Sequence, residues 1–162
     1  MFREMRRKRQ ELPAEKAEQV LARGSAGTLA VLGDGGYPYA VPLSYVYHEG
    51  RIYFHCAKSG HKLDAIRACD KVSFCVIDRN EILPEKFTTA FCSVIVFGRA
   101  RIVADERELM GAMKALAAKY SPRESEDAFR NEMKVSSAAL CVVAVEIEHM
   151  TGKIGKELLG KE

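Results

Sequence analysis

Residues 53–62, Tyr-Phe-His-Cys-Ala-Lys-Ser-Gly-His-Lys, hold the densest group of side chains that could bind or transform a ligand. The pattern predicts a strand that ends near Ala57, a polar turn, and a helix that begins near His61. A helix start offers backbone N–H groups without partners and a partial positive charge. Lys58 and Lys62 would add full charges, so the joint could bind a phosphate. An ordinary joint with solvated lysines fits the same residues, and the pattern alone leaves both interpretations open.

The histidines and cysteines of this region allow several chemistries. His55, within the strand, could be a core residue bonded to the backbone, or it could lie beside a ligand and exchange a proton near neutral pH. His61, at an exposed helix start, is expected to face a phosphate or an active site. We expect no metal, because no Cys-x-x-Cys spacing accompanies the cysteines. Without a secretion signal they are expected to be reduced core thiols: Cys56, Cys69, Cys75, Cys92 and Cys141.

The charge and length of the chain exclude several classes of protein. The 162 residues carry 25 Lys and Arg against 22 Asp and Glu, a net charge of +3, and that surplus lies entirely within residues 1–12. The remaining chain is neutral, which argues against a nucleic-acid-binding domain. No apolar run approaches the length of a membrane span, and no apolar segment follows the basic residues. We therefore expect a cytoplasmic protein of one domain over 1–162, with a basic arm at 1–12 and a tail at 150–162.

Hydrophobic periodicity predicts a mainly β protein with flanking helices. Pro38 and Pro42 within one run predict an edge strand, because proline cannot donate to a sheet ladder. Asp105 with Glu108 three residues later is a capping box that opens a helix. Consecutive hairpins predict a six-stranded antiparallel sheet that closes into a small barrel. The elements are helices at 13–23, 60–69 and 105–119, strands at 27–33, 37–48, 51–57, 71–78, 87–103 and 138–149, a loop at 79–86 and a polar stretch at 121–132.

Six ordered sequence blocks, which cover about two-thirds of the chain, carry a family resemblance: residues 5–8, 27–30, 36–45, 52–57, 60–64 and 93–100. With these blocks the chain resembles the pyridoxamine 5′-phosphate oxidase-like FMN-binding split barrels, most closely the branch related to 5-nitroimidazole-resistance proteins. The resemblance implies a six-stranded antiparallel split β-barrel that forms a homodimer, with two FMN molecules bound across the subunit interface.

The resemblance also implies roles for individual residues. The strand at Val41, Pro42, Leu43 and Ser44 would run along the isoalloxazine ring of FMN. The strand end at His55, Cys56 and Ala57 would continue that wall, with His55 as the candidate catalytic residue. His61 and Lys62 would bind the flavin phosphate together with Lys58, and Ser93 would reach the flavin from the other subunit.

Departures from the oxidase pattern favour a different substrate from that of the oxidases. They carry arginine and lysine where this chain has Ala40 and Tyr45, and the chain contains no tryptophan. The first hypothesis is therefore an FMN-dependent oxidoreductase that reduces small electron-poor molecules such as nitroimidazoles or nitroaromatics. The alternative is a non-catalytic split barrel that binds flavin, deazaflavin or haem. A third hypothesis is a zinc- or DNA-linked regulator that uses the arginines of residues 3–9.

Overall fold

The computed structural model describes residues 2–160, which form a seven-stranded antiparallel sheet and four α-helices. The helices are α1 (Ala14–Arg23), α2 (His61–Ala68), α3 (Glu106–Tyr120) and α4 (Glu126–Ser136). The strands are β1 (Gly27–Leu32), β2 (Pro38–Leu43), β3 (Val46–His48), β4 (Arg51–Ala57), β5 (Lys71–Leu83), β6 (Thr88–Ile102) and β7 (Leu140–Ile154).

The sheet curls because its two edges are consecutive in the chain. The strand order is β2-β1-β5-β6-β7-β4-β3, so β2 and β3 lie at opposite edges. Only Ser44 and Tyr45 join these strands, which limits the separation of the edges to about 11 Å at that point, since successive Cα atoms are about 3.8 Å apart. The result is a barrel that is open along one seam, which confirms the mainly β split-barrel prediction.

Tyr45 fastens this crossing to the core. Its side chain is fully buried, its ring packs edge-on against Phe74 with centroids 4.9 Å apart, and its hydroxyl donates to the carbonyl of Leu21 at 2.6 Å. The core inside the barrel consists of the inward-facing positions of the strands, among them Leu29, Phe54, Phe74 and Val94. A second cluster lies on the opposite face of β4 and β7, where Tyr53, Val142 and Ala144 contact α3.

The strand count differs from the predicted six because the run at 37–48 is two strands, divided at Ser44 and Tyr45. The prolines lie in β2, at an edge of the sheet, as predicted. The loop predicted at 79–86 was wrong, because β5 continues to Leu83 and pairs with the start of β6. A register shift between Ile77 and Arg79 precedes the exposed ribbon that residues 79–83 form with β6. The sequence of this ribbon is mostly polar and therefore did not predict a strand.

Two further elements extend beyond the prediction. The polar stretch at 121–132 contains the start of α4, whose amide at Ala128 is capped by the side chain of Ser125 at 3.1 Å. Phe129 and Met133 give α4 an apolar stripe one turn apart. β7 continues to Ile154 and so includes residues 150–154, which were predicted as tail. No helix in residues 2–160 has the length and hydropathy needed to cross a bilayer.

Candidate functional site

The joint between β4 and α2 places a glycine and two basic residues at the start of a helix. Gly60 has a φ of 132°, which favours glycine, and it starts α2 without a capping side chain. The amides of Leu63 and Asp64 both donate to the Gly60 carbonyl, at 2.9 and 3.2 Å. The amides of His61 and Lys62 precede them in the first helical turn, where the helix itself supplies no acceptor. These amides are therefore available to an anionic ligand.

His61 is held beside the β1–β2 turn by its ring. The imidazole stacks on the ring of Tyr39 with centroids 4.2 Å apart, and its Nε2 lies 3.6 Å from a carboxylate oxygen of Asp34. A Cβ at Gly33 would lie 3.3 Å from that nitrogen and 3.0 Å from the carbonyl of Tyr37. The turn therefore approaches α2 closely because residue 33 is glycine. Asp34 and Asp64 are acidic residues in this otherwise basic corner, and Asp64 pairs with Arg67 at 3.0 Å.

Cys56 lies on the inner face of the strand end, close enough to Lys62 for the two groups to interact. Burial, the largest cause, and Cys141 together raise the pKa of the Cys56 thiol to about 11, while the positive charge of Lys62 acts in the opposite direction. The thiol is therefore protonated at neutral pH and is not an activated nucleophile. The five cysteines form no disulfide among residues 2–160.

His55 faces away from Cys56, because successive strand residues point to opposite faces of a sheet. On that face His55 and Ser44 line a cavity of about 550 Å³ that residues of α3 and α4 also line. Two predicted site residues are thus brought together on one wall. The other lining residues are Met113, Leu116, Ala117, Tyr120, Ser121, Glu124, Ala128, Phe129, Glu132 and Met133.

The end of α3 positions the wall at Ser44. The amide of Tyr45 donates to the hydroxyl oxygen of Tyr120 at 3.0 Å. The ammonium of Lys119 donates to the carbonyls of Gly24 at 2.6 Å and Tyr45 at 3.0 Å, and it lies 4.3 Å above the Tyr45 ring. Burial lowers the pKa of Lys119. The sequence offered no signal for these contacts beyond a basic residue at a helix C-terminus.

The remaining predicted residues divide between two places. Val41 and Leu43 are half-buried on the inner side of β2, whereas Pro42 is exposed on its outer side. Lys58 has an exposed side chain, and its amide donates to the carbonyl of Ala139 at 3.2 Å. Ser93 lies on β6, three strands from β2 and therefore about 14 Å away in the sheet. Within one chain the structure does not bring Ser93 to the other predicted residues.

The outer face of the sheet carries exposed apolar side chains around Ser93. Ile77 is directly opposite Ser93 on β5 and is 65% exposed. Leu32, Ile95 and Phe97 are also at least 40% exposed. Phe2, from the N-terminal arm, stacks on His149 at 4.7 Å and on Phe97 at 5.6 Å between centroids. Exposed apolar faces of this kind are typical of interaction surfaces.

Comparison with known proteins identifies the family. Residues 13–154 match the family described as pyridoxamine 5′-phosphate oxidase, and the chain therefore belongs to that family. This confirms the resemblance read from the sequence. No curated protein matches the chain.

Solved structures share the fold. A conserved hypothetical protein from Mycobacterium tuberculosis is 17% identical with a TM-score of 0.81, covering 96% of this chain and 92% of that one. A candidate 5-nitroimidazole antibiotic resistance protein from Bacteroides thetaiotaomicron is 19% identical with a TM-score of 0.71, covering 89% and 86%. An FAD-binding protein from Mesorhizobium loti is 26% identical with a TM-score of 0.61, covering 91% and 98%.

Proposed function

We propose that this chain binds FMN as a homodimer and reduces small electron-poor molecules, such as nitroimidazoles or nitroaromatics, in the cytoplasm. The observation that carries the proposal is the start of α2, where Gly60 is followed by His61 and Lys62 and their first-turn amides, directly after β4. This donor set fits a phosphate monoester. The family membership and the FAD-binding relative from Mesorhizobium loti support a flavin as the bearer of that phosphate.

β2 links this phosphate corner to the cavity. Tyr39, near the start of β2, stacks on His61, and Ser44, just after its end, lines the cavity. Ser44 is five positions after Tyr39, a distance of about 17 Å along an extended strand. An FMN molecule extended along β2 would therefore reach from α2 towards Ser44. Bound flavin would supply the electron or hydride transfer.

His55 is the proposed proton donor because its exposed imidazole lines the same cavity as Ser44. An imidazole can donate a proton or a hydrogen bond to a substrate bound in this cavity. Tyr45, at the position where the oxidases carry a lysine, is fully buried and its hydroxyl donates to the Leu21 carbonyl, so it offers a substrate no polar group. This supports a substrate other than pyridoxamine phosphate.

The exposed apolar face of the sheet supports a homodimer. Ser93 lies on that face together with Ile77, Ile95 and Phe97. A partner packed there would cover these side chains and would bring a second Ser93 towards the first subunit. Light scattering of the purified protein is expected to give a mass near 36 kDa, about twice that of one 18.0 kDa chain. A charged substitution, Ile77→Lys, is expected to shift the mass towards that of one chain.

Flavin binding can be tested by titrating the protein with FMN, FAD and riboflavin. FMN is expected to bind more tightly than riboflavin, since riboflavin lacks the phosphate. Lys62→Ala is expected to lower the affinity for FMN by about tenfold to a hundredfold and to leave the affinity for riboflavin nearly unchanged. Lys86→Ala, on the exposed β5–β6 hairpin, is the matched control and is expected to change neither. Equal FMN affinity in the Lys62 and Lys86 variants would refute the phosphate assignment.

Activity requires a separate measurement. The absorbance of the FMN-loaded protein is expected to bleach with NADH or NADPH under anaerobic conditions and to recover on addition of a nitroimidazole. His55→Gln is expected to slow the recovery more than the bleaching. Bleaching without recovery would favour the passive flavin-binding alternative, and a Soret band in the purified protein would favour haem.

A further inference from the structure

The walls of the cavity at His55 carry an asymmetric distribution of charge. Its charged lining residues, apart from His55, are the two carboxylates Glu124 and Glu132, and none of its described lining residues is a lysine or an arginine. The nearby ammonium of Lys119 donates hydrogen bonds to the carbonyls of Gly24 and Tyr45. An anion entering this cavity would therefore meet two carboxylates, with the His55 imidazole as the basic group among the described lining residues.

The opposite side of α4 has a different character. A second cavity, of about 620 Å³, shares Phe129 and Met133 with the first, so these two side chains separate the two spaces. The second cavity is lined by the cations Lys114, Arg130 and Lys134 in addition to two glutamates. Of the charged side chains of α4, Glu132 lines the cavity at His55, whereas Arg130 and Lys134 line the second cavity.

Apolar side chains make up most of the remaining lining of the first cavity. Phe129 and Met133 come from α4, and Met113 and Leu116 from α3, facing Ser44 and His55 on the sheet. A volume of about 550 Å³ falls within the range of pockets that bind small organic molecules. These apolar side chains can pack against an aromatic ring, and the few polar groups can orient it.

Building on the proposed function, we propose that this cavity selects flat aromatic or heteroaromatic substrates that are neutral or cationic, and that Glu124 and Glu132 reject anionic ones. The Glu132 carboxylate accepts a hydrogen bond from the Ser136 hydroxyl one turn later in α4, which restrains it in the rim. Glu124 precedes α4, in the segment that joins it to α3. The two carboxylates act on substrate charge and not on the flavin, whose phosphate site lies at α2.

The inference can be tested with three probes of one shape: 4-nitrobenzamide, the 4-nitrobenzylammonium ion and 4-nitrobenzoate. Binding to the flavin-free protein is measured by calorimetry, so the result does not depend on turnover. At low salt the neutral and cationic probes are expected to bind about tenfold more tightly than the anion. A combined Glu124→Gln and Glu132→Gln variant is expected to reduce that difference to about twofold. Glu85→Gln, on the distant β5–β6 hairpin, is the matched control and is expected to retain it.

A second variant tests the location of the site. Ala128 is exposed and lines the cavity, so Ala128→Phe fills the space without disturbing the barrel core. This variant is expected to lose binding of all three probes while its urea midpoint stays close to that of the parent. Undiminished probe binding in Ala128→Phe, or equal affinities for anion and cation in the parent, would overturn the inference. Flavin binding without any probe binding would refute the inference and leave the proposed flavin function standing. Probe binding without flavin binding would refute the proposed flavin function and leave the charge selectivity of the cavity standing.

Discussion

Replacing Tyr45 by phenylalanine tests whether its hydroxyl anchors the segment that connects β2 and β3 to the end of α1. The hydroxyl of Tyr45 donates to the carbonyl of Leu21. This carbonyl lies in the last turn of α1, where the helix itself supplies no N–H donor. The substitution keeps the ring against Phe74 and removes only this bond. A buried acceptor left without a partner costs about 1–3 kcal/mol. At about 2 kcal/mol, the urea midpoint falls by about 1 M and the melting temperature by about 4–8 °C.

Urea denaturation followed by far-ultraviolet circular dichroism measures this loss, and Tyr37→Phe is the matched control because Tyr37 is 78% exposed. The pH dependence supplies a second readout. Burial raises the pKa of Tyr45, so the tyrosine contributes stability that is complete below pH 10 and is lost as the pH rises above 10. Tyr45→Phe is expected to flatten that alkaline decline. A midpoint within about 0.2 M of the Tyr37→Phe value would refute the capping role of Tyr45.

Three further outcomes follow from other parts of the molecule. Gly98→Ala is expected to lower the urea midpoint, because its Cβ would overlap a backbone carbonyl of β7. In Gly111→Ala the new Cβ in α3 meets open space, so the free energy of unfolding is expected to rise by about 0.5–1 kcal/mol. Equal urea midpoints for the two variants would contradict this expectation. The hydrogen bond from Arg23 lowers the pKa of Asp78, so stability is complete above about pH 5 and declines as the pH falls through 4; Asp78→Asn is expected to reduce that decline in urea titrations. Because burial raises the pKa of Cys56 to about 11, its alkylation by iodoacetamide, followed by mass spectrometry, is expected to be slow at pH 7.5 and to accelerate towards pH 11.

Local sequence patterns predicted the elements of the barrel well, because a half-buried strand and a capped helix each impose their own spacing. The hairpins before β2 and β4 and the helix α2 were found from such patterns. The division at Ser44 and Tyr45 was not, since only the return of the chain to the opposite edge of the sheet separates β2 from β3. The ribbon at 79–83 was missed for a related reason. Its strand character comes from pairing with β6 and not from its polar residues.

The site was predictable only where it consists of neighbours in the chain. His61 and Lys62 adjoin the turn at Gly60, and their shared position at a helix start could be expected from spacing. The cavity depends on α3 and α4, which lie more than fifty residues beyond His55. Ser125 and the Phe129–Met133 stripe were the available signals for α4, but no local pattern indicates which strand face a helix will cover.

Strand β4 carries the phosphate end of the proposed flavin site on one face and the substrate cavity on the other, because His55 and Cys56 are consecutive and face opposite sides. The flavin ring would meet the cavity near Ser44. Cys56 lies on the side of Lys62 and α2, whereas His55 faces α3 and α4. Substitutions on one side should therefore affect one ligand more than the other. Lys62→Ala is expected to weaken FMN binding and to leave probe affinity in the cavity unchanged, and His55→Gln is expected to do the opposite. If each substitution weakened both ligands equally in calorimetric titrations, the two ligands would share one subsite and the division at β4 would be wrong.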